Sequence, residues 1–473
     1  MTFRSASPVP PNHVAATSFP RDSATAEPRF GVILAAVIAL AVVIRLTCFV
    51  ISSADPASRQ MEEDSRGYLA LAENLSQGKG FGRLVNAGPS GEAVWVPEIC
   101  RTPGYPVVAA FLGIVTGHTR AATILMQHGA MIALCVVLAL VCRKAWGAWA
   151  GILAAAFLAV DLQGVALGNL LLAEACFGIL VCLGALGCAA LLRRSSIGLA
   201  LGVGLLFGLS ALVRPTGLAL PALVAVAFAV YAWLKRDLRF VAYGVCIGLA
   251  GMAPVAGWIL RNQVVCGEAT LSSVWRYNLV FNYAVPSLAL DKGITEAQAQ
   301  QEILSRLQIG PGKMRYLPLS PEETARLRHV AYGTVWDHRY GFLRKTVREG
   351  AMMLLGPEKQ ILAVLGLPWV KFTGPNATRP SDYGCVTWML LGWQVLLMLG
   401  LYALVLLALW RSLLHRHGGP LLWVCLGFAV YLVATSVSLP DTRFRWPALP
   451  LLAIIAASAL RRGARSAPCH QGN

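Results

Sequence analysis

From residue 30 to 51 the chain is apolar except for Arg45 and Thr47. A run of about 22 such residues is long enough to cross the hydrocarbon core of a bilayer as a helix. Similar runs recur at about 121–142, 147–166, 169–192, 197–213, 216–234, 238–260, 385–410, 419–439 and 446–460. The pattern therefore predicts ten transmembrane helices. The third and fourth are poorly separated, and only "RPT" divides the fifth from the sixth. Two long polar stretches interrupt the series, 52–120 and 261–384. Within the second, Leu327, Val330, Ala331, Thr334 and Val335 recur at helical spacing, as do Phe342, Val347, Ala351 and Leu354. Basic residues flank both sets, which suits helices lying at a membrane interface. Gly204-x-x-x-Gly208 and Gly244-x-x-x-Gly248 fit close helix packing, against the plain alternative that glycine is common in such spans.

The polar pattern at the span ends gives orientation. With the N-terminus cytoplasmic, the inside loops are "CRKAWG", "LLRRSS", "LKRDLR", "RSLLHRH" and the tail "RRGAR". Every one is basic, as cytoplasmic loops are. Residues 1–29, rich in Pro, Ser, Ala and Thr, read as a disordered cytoplasmic tail. The tail and the length of the first span argue against a cleaved signal peptide. The expected organisation is an N-terminal transmembrane module over 30–260 that carries a first outer loop at 52–120. An outer segment at 261–384, C-terminal spans over 385–460 and a cytoplasmic tail at 461–473 follow.

Composition agrees. Charged residues make up 13% of the chain, about half the share in soluble domains. The net charge of +17 is largely accounted for by the inside loops, so no nucleic-acid partner is expected. Of the twelve cysteines, most lie within apolar runs and serve as small hydrophobes. No Cys/His spacing suggests a metal site. Cys100 and Cys266 both fall on the outer side, which leaves a disulfide between them open.

Candidate chemistry collects on that same outer side. In "EEDSRGYLALAENLSQGKGFG" (62–82), a helix starting near Asp64 puts Asp64, Tyr68, Leu71 or Ala72, and Leu75 on one face. Gly78, Gly80 and Gly82 then end it. The plain alternative is an N-terminal charge cluster favoured by the helix dipole. "RTPGYP" (101–106) offers Arg101 as a phosphate partner and Gly104 for close backbone approach, or forms an ordinary turn. Glu174, in the first turns of a span, is an ionisable group at the membrane and so a functional candidate, unless it is shallow enough to meet water. Asp161 is its topological neighbour. Arg214, Arg261, Arg443 and Arg445 stand at outer span ends. One such arginine means little, because arginine snorkels, but several beside an acidic cluster suggest an anionic headgroup site. Arg45 needs a partner or a cavity. His128 reads as packed or lining. The chemistry this set fits is transfer from a lipid phosphate. A carboxylate takes a proton from an acceptor hydroxyl and arginines hold the departing phosphate.

At these residues the sequence resembles the GT-C superfamily of integral-membrane glycosyltransferases. It is most similar to the protein O-mannosyltransferase and aminoarabinose lipid A transferase group. The motifs are Asp64-x-x-x-Tyr68-x-x-x-Ala72-x-x-Leu75-x-x-Gly78-x-Gly80-Phe81, "RTPGYP", "LLLAEACFGILV", "GLLFGLSALVRPTGLAL", "RNQVVCGEA" and "DTRFRWPALPLL", in order from about 30 to 460. The resemblance implies an all-α, polytopic GT-C-like bundle with interfacial helices and two large periplasmic loops, in a bacterial inner membrane. It implies inverting transfer of a sugar from a polyprenyl-phosphate donor to a hydroxyl on a glycolipid, polysaccharide or protein, at a periplasmic active site. Asp64 is then the expected base, with Glu174 or Glu63 as a second acid. Arg101, Tyr105, Arg214, Arg261, Arg443 and Arg445 are expected to hold the donor phosphate and lipid, with Tyr68 and Asp161 in the substrate pocket. Some GT-C enzymes use a divalent metal and this group generally does not, so no cofactor is expected. Many relatives carry Asp-Glu in the first loop, whereas here Glu62 and Glu63 precede Asp64 and Ser65 follows it.

Two other functions compete. A flippase for a lipid-linked sugar predicts internal repeats, which the halves do not show. A surface-polysaccharide polymerase or ligase shares the long outer loop but takes a pyrophosphate-linked donor.

Overall fold

The computed structural model describes residues 29–54, 63–86, 93–367, 383–415, 419–439 and 441–461. The expected tail 1–28 and the acid Glu62 lie outside the described residues. The described chain is an all-α polytopic membrane protein with one small β-hairpin.

Among the described residues, seven helices are long and apolar enough to cross a membrane. They are α1 (Phe30–Ala54), α4 (Thr119–Trp146), α7 (Glu174–Leu191), α9 (Leu220–Lys235, lengthened by a 3₁₀ turn at Pro215–Gly217), α10 (Arg239–Cys266), α18 (Cys385–His415) and α20 (Leu449–Ala457), which continues the 3₁₀ segment Thr442–Ala448. An eighth is the pair α5 (Ala148–Val160) and α6 (Leu162–Asn169), bent by 51°. The remaining two predicted spans are the shorter apolar helices α8 (Ile197–Val213) and α19 (Pro420–Ser436).

The bend has a local cause. Asp161 leaves helical geometry and caps α6, accepting from the backbone N–H of Gly164 at 2.8 Å and Gln163 at 3.3 Å. The last carbonyls of α5 are then left without helical partners. Arg45 on α1 supplies them, donating to Leu158 O and Ala159 O at 3.2 Å each. The charge inside the first span is thus a cap for a broken helix.

The glycine motifs work as close contacts. A Cβ on Gly204 would stand 2.5 Å from Ile247 O, and one on Gly208 2.4 Å from Gly251 O, so the backbones of α8 and α10 touch there. A Cβ on Gly244 would stand 2.8 Å from Ala225 O of α9, whereas one on Gly248 would make an ordinary contact.

The two ends of the bundle differ chemically. At one, Arg143 lies over the Phe30 ring (4.3 Å), Arg239 donates to Ser195 (3.3 Å) and Arg411 to Ala459 O (2.5 Å). The other carries the elements between the spans. Helix α2 (Glu63–Ser76) packs Ala72 and Leu75 against Ala109 and Ala110 of α3 (Gly104–Thr116). Gly78 and Gly80, at φ 71° and 85°, turn the chain into strand β1 (Gly82–Asn86), which pairs antiparallel with β2 (Ala93–Pro97) in the register Leu84–Trp95. After α10, which runs six residues past its expected end, come α11 (Val274–Tyr277), a π-helical segment Asn278–Ala284, α12 (Val285–Lys292), α13 (Glu296–Leu307), α14 (Pro311–Tyr316), α15 (Pro321–Asp337), α16 (Arg339–Leu355) and α17 (Gln360–Val364). Leu279, Val280, Leu288, Ile303, Leu327 and Ala331 give this segment its own core.

Helix α15 buries the predicted face, with Leu327, Ala331 and Thr334 inside. Helix α16 leaves Val347 and Ala351 of its spaced apolar set exposed. Its buried face is Gly341, Lys345, Glu349, Gly350 and Met353, while Leu343 and Val347 are exposed. Lys345 reaches the Ser438 carbonyl, so polar partners cover one face and the apolar face is left outward.

Candidate active site

Asp64 lies in the first turn of α2 and is gripped by arginines from distant parts of the chain. Arg101 donates to one carboxylate oxygen at 2.9 Å and Arg443 to the other at 2.9 Å, while Arg315 stands 3.8 Å away. Arg443 also approaches Glu174 (3.4 Å) and Asp441 (3.4 Å), and Glu174 pairs with Arg214 at 2.5 Å. These groups line one cavity of about 390 Å³. Glu174 is nearly buried (side chain 4% exposed), whereas Asp64 keeps 32% of its side-chain surface. Of the three cavity acids, Asp64 and Asp441 (34% exposed) are within reach of a bound molecule and Glu174 is not; Asp64 is the one bonded to the side chains of both Arg101 and Arg443.

Each arginine is positioned by local structure. Buried Glu98, just past β2, accepts from the backbone N–H of Cys100 (2.7 Å) and Arg101 (2.9 Å) and pairs with Arg83 of β1. The hairpin thereby shapes the loop that delivers Arg101. The Arg101 guanidinium lies over the Tyr68 ring at 4.4 Å and passes so near Gly67 that a Cβ there would be 2.8 Å from Nη2. Gly104 brings the start of α3 against Leu212 O at the end of α8 (2.8 Å from a built Cβ), beside Arg214. Asp441 caps the 3₁₀ segment by accepting from Arg443 N at 3.0 Å. Arg214 and Arg443 both lie over the Phe444 ring, at 5.1 and 4.9 Å.

Burial pushes the Asp64 carboxyl up, but Arg101 and Arg443, by charge and hydrogen bonds, push it further down. The net effect holds it well below the usual carboxylate range. Burial raises the Tyr68 phenol, which stays protonated at neutral pH.

Of the residues singled out from sequence, Asp64, Tyr68, Arg101, Glu174, Arg214 and Arg443 line this cavity. Tyr105, Asp161, Arg261 and Arg445 do not. Tyr105 is buried, with its hydroxyl donating to Gln127 at 2.9 Å and its ring edge-on to Tyr68. Asp161, besides capping α6, accepts from Gln394 and Trp446 at 3.1 Å each. Arg261 ties the hairpin to α10 through Glu98 O (2.8 Å) and Phe81 O (3.1 Å). Arg445 donates to Gly356 O (2.8 Å), Leu354 O (3.1 Å) and Met353 O (3.3 Å), capping the end of α16. All four are structural partners of the backbone or of one another's neighbours. The Glu63 side chain lies outside the described residues. His128 is packed against Gly168. Cys100 and Cys266 are both free thiols, so no disulfide joins them.

Sequence reasoning missed Arg315, Tyr277, Asn278, Asn282 and Asp441, which also line the cavity. Asp441 precedes Arg443 in the "DTRFRWP" motif and was within reach. The others sit in 261–384, where no periodic pattern marks them. Among the described residues no group of three or more His, Cys, Asp or Glu side chains is arranged to hold a metal.

No protein-family model matches the chain, and no curated protein does. Among solved structures the chain is similar to the crystal structure of ArnT from Cupriavidus metallidurans in the apo state. The similarity covers 90% of this chain and 77% of that one, with 13% identity and a TM-score of 0.36. A likeness this distant transfers no function, and the site is read from its own side chains.

Proposed function

We propose that the protein is a glycosyltransferase of the GT-C type. It moves a sugar from a polyprenyl-phosphate donor to an acceptor hydroxyl, with Asp64 as the base, on the periplasmic face of a bacterial inner membrane. The observation that carries this is Asp64, reachable from the cavity yet bonded to Arg101 and Arg443 with Arg315 behind. The sequence motifs that contain these residues support the same reading. The basic inside loops support the orientation.

The charge balance favours a particular donor. Arg101, Arg214, Arg315 and Arg443 face Asp64, Glu174 and Asp441 across the cavity, which leaves one positive charge over. A glycosyl phosphodiester carries one negative charge and neutralises the site, whereas a pyrophosphate-linked donor carries two and overshoots. A phosphodiester entering the cavity competes with Asp64 for the guanidiniums. As its hold weakens, the carboxyl gains proton affinity and becomes a useful base.

The acceptor oxygen then attacks the anomeric carbon from the face opposite the phosphate. The bond from that carbon to the phosphate oxygen breaks, and the electron pair leaves with the phosphate, which gains one negative charge. The acceptor proton passes to Asp64, which loses one. The site therefore gains a positive charge as the leaving group gains a negative one. Arginines already in place at the developing charge stabilise it without reorganisation.

The test supplies purified protein in lipid nanodiscs with a panel of sugars on polyprenyl phosphate or on polyprenyl pyrophosphate. Transfer or donor hydrolysis with the phosphate series alone is expected. Turnover of the pyrophosphate series instead would assign a polymerase or ligase. Mass spectrometry of surface glycoconjugates from a deletion strain would then name sugar and acceptor together.

A further inference from the structure

The cavity has two chemically different walls. One is charged and comes from α2, the 98–102 loop, Arg315 of α14 and the starts or ends of spans. The other offers uncharged polar groups from one continuous stretch, Tyr277 to Asn282. Tyr277 ends α11, and Asn278 and Asn282 sit on the π-helical segment that follows. Asn282 Nδ2 donates to Asn278 Oδ1 at 2.9 Å. That bond fixes both amides side by side and leaves further donor and acceptor capacity on each. The segment is anchored from below, since Leu279, Val280 and Ala284 are buried in the outer core. A single π-helical turn of this kind is uncommon and often marks a functional site. Tyr277 also carries the Arg315 guanidinium over its ring at 5.0 Å, and Arg315 in turn lies 3.8 Å from Asp64. The neutral wall is therefore joined directly to the charged one.

We propose that Asn278 and Asn282, bordered by Tyr277, form the subsite for the transferred sugar and decide which sugar is accepted. This rests on the reading of the cavity as a lipid-phosphate-sugar site. Neighbouring ring hydroxyls each donate and accept, and a pair of amides answers them in both directions. A subsite built to hydrogen-bond a hydroxyl also rejects a ring that lacks it, because its polar groups are then left unpaired. Net charge adds nothing to recognition on this wall, so the class of ligand is a polyhydroxylated ring set next to the phosphate.

The experiment measures binding to nanodisc protein of polyprenyl phosphate bearing glucose, galactose, mannose or arabinose. The reference is polyprenyl methyl phosphate, a sugar-free diester of the same charge. For wild type, at least one sugar donor is expected to bind roughly 5- to 150-fold tighter than the reference, the range for two net hydrogen bonds. In Asn282→Ala and Asn278→Ala, that ratio falls towards one while the reference itself binds as in wild type. A ratio unchanged in both variants, or no sugar donor preferred by wild type, overturns the subsite. Failure of wild type to bind even the sugar-free diester overturns the phosphate reading and this inference with it. Thermal unfolding of both variants checks their folding, and Asn282→Asp adds a polar but charged replacement that should also lose the ratio.

Discussion

Gly67→Ala separates the site from the fold. Gly67 is a helical residue one turn into α2, and a methyl group there would stand 2.8 Å from Arg101 Nη2 and 2.9 Å from Nε. The guanidinium has to move, and the bond it makes to Asp64 at 2.9 Å goes with it. A guanidinium displaced from there also no longer meets the phosphate on which charge develops; a hydrogen bond to a charged group is worth about 1.5–3 kcal/mol, so the reaction should slow roughly 10- to 150-fold. The effect on the helix has the opposite sign, because alanine is favoured over glycine in a helix interior by about 1 kcal/mol. The expected protein is at least as heat-stable as wild type and far less active. The assay is transfer rate in nanodiscs alongside thermal unfolding. Arg101→Ala and the double variant complete a cycle, in which the double variant should be no slower than Arg101→Ala alone. Activity within twofold of wild type in Gly67→Ala would refute the role given to Arg101. So would additive losses in the double variant.

Two further outcomes concern the frame. Arg45→Met should lower the melting temperature in detergent, since it strips the partners from Leu158 O and Ala159 O at the α5 end, at about 1–3 kcal/mol per unpaired group. An unchanged melting temperature would show that the bend does not need its cap. Glu358, fully buried and bonded to Gln360 N (2.7 Å) and Thr442 Oγ1 (3.2 Å), is raised from 4.5 to about 7, first by burial and then by the Asp441 charge. An acid with a raised folded pKa favours the folded state most below its unfolded value, and that advantage is lost as pH rises through 7. Glu358→Gln should therefore gain in melting temperature over wild type as pH climbs from about 4.5 to 8. A difference constant with pH would contradict the shift.

The spans were legible because apolar runs of bilayer length are strong, local signals. So was the register of α2, where Asp64 and Tyr68 come to one edge and Leu71 and Ala72 to the core. The arginines were legible as a group but not one by one. Arg443 and Arg445 are two residues apart on a 3₁₀ segment, yet one points to Asp64 and the other caps α16. Nothing in the local sequence separates them, because the difference lies in which distant backbone ends nearby. Arg45 was a puzzle for the same reason, its partners being carbonyls 113 and 114 residues away. Glu98, which sets the Arg101 loop, carries no motif. Arg315 and the Asn278–Asn282 pair belong to the stretch 261–384, in a part of it where no apolar period marks them. Helical spacing marked α16 but not its buried face, where Lys345 meets Ser438 O and Glu349 meets Arg348.

The central claim is that Asp64 takes the acceptor proton. Its most direct test is the transfer rate of purified Asp64→Asn, with a polyprenyl-phosphate sugar that wild type turns over. Asparagine preserves size and can still hydrogen-bond, but it cannot take the proton. The account predicts that transfer is lost while folding and donor binding are retained. Transfer by Asp64→Asn at the wild-type rate would contradict it.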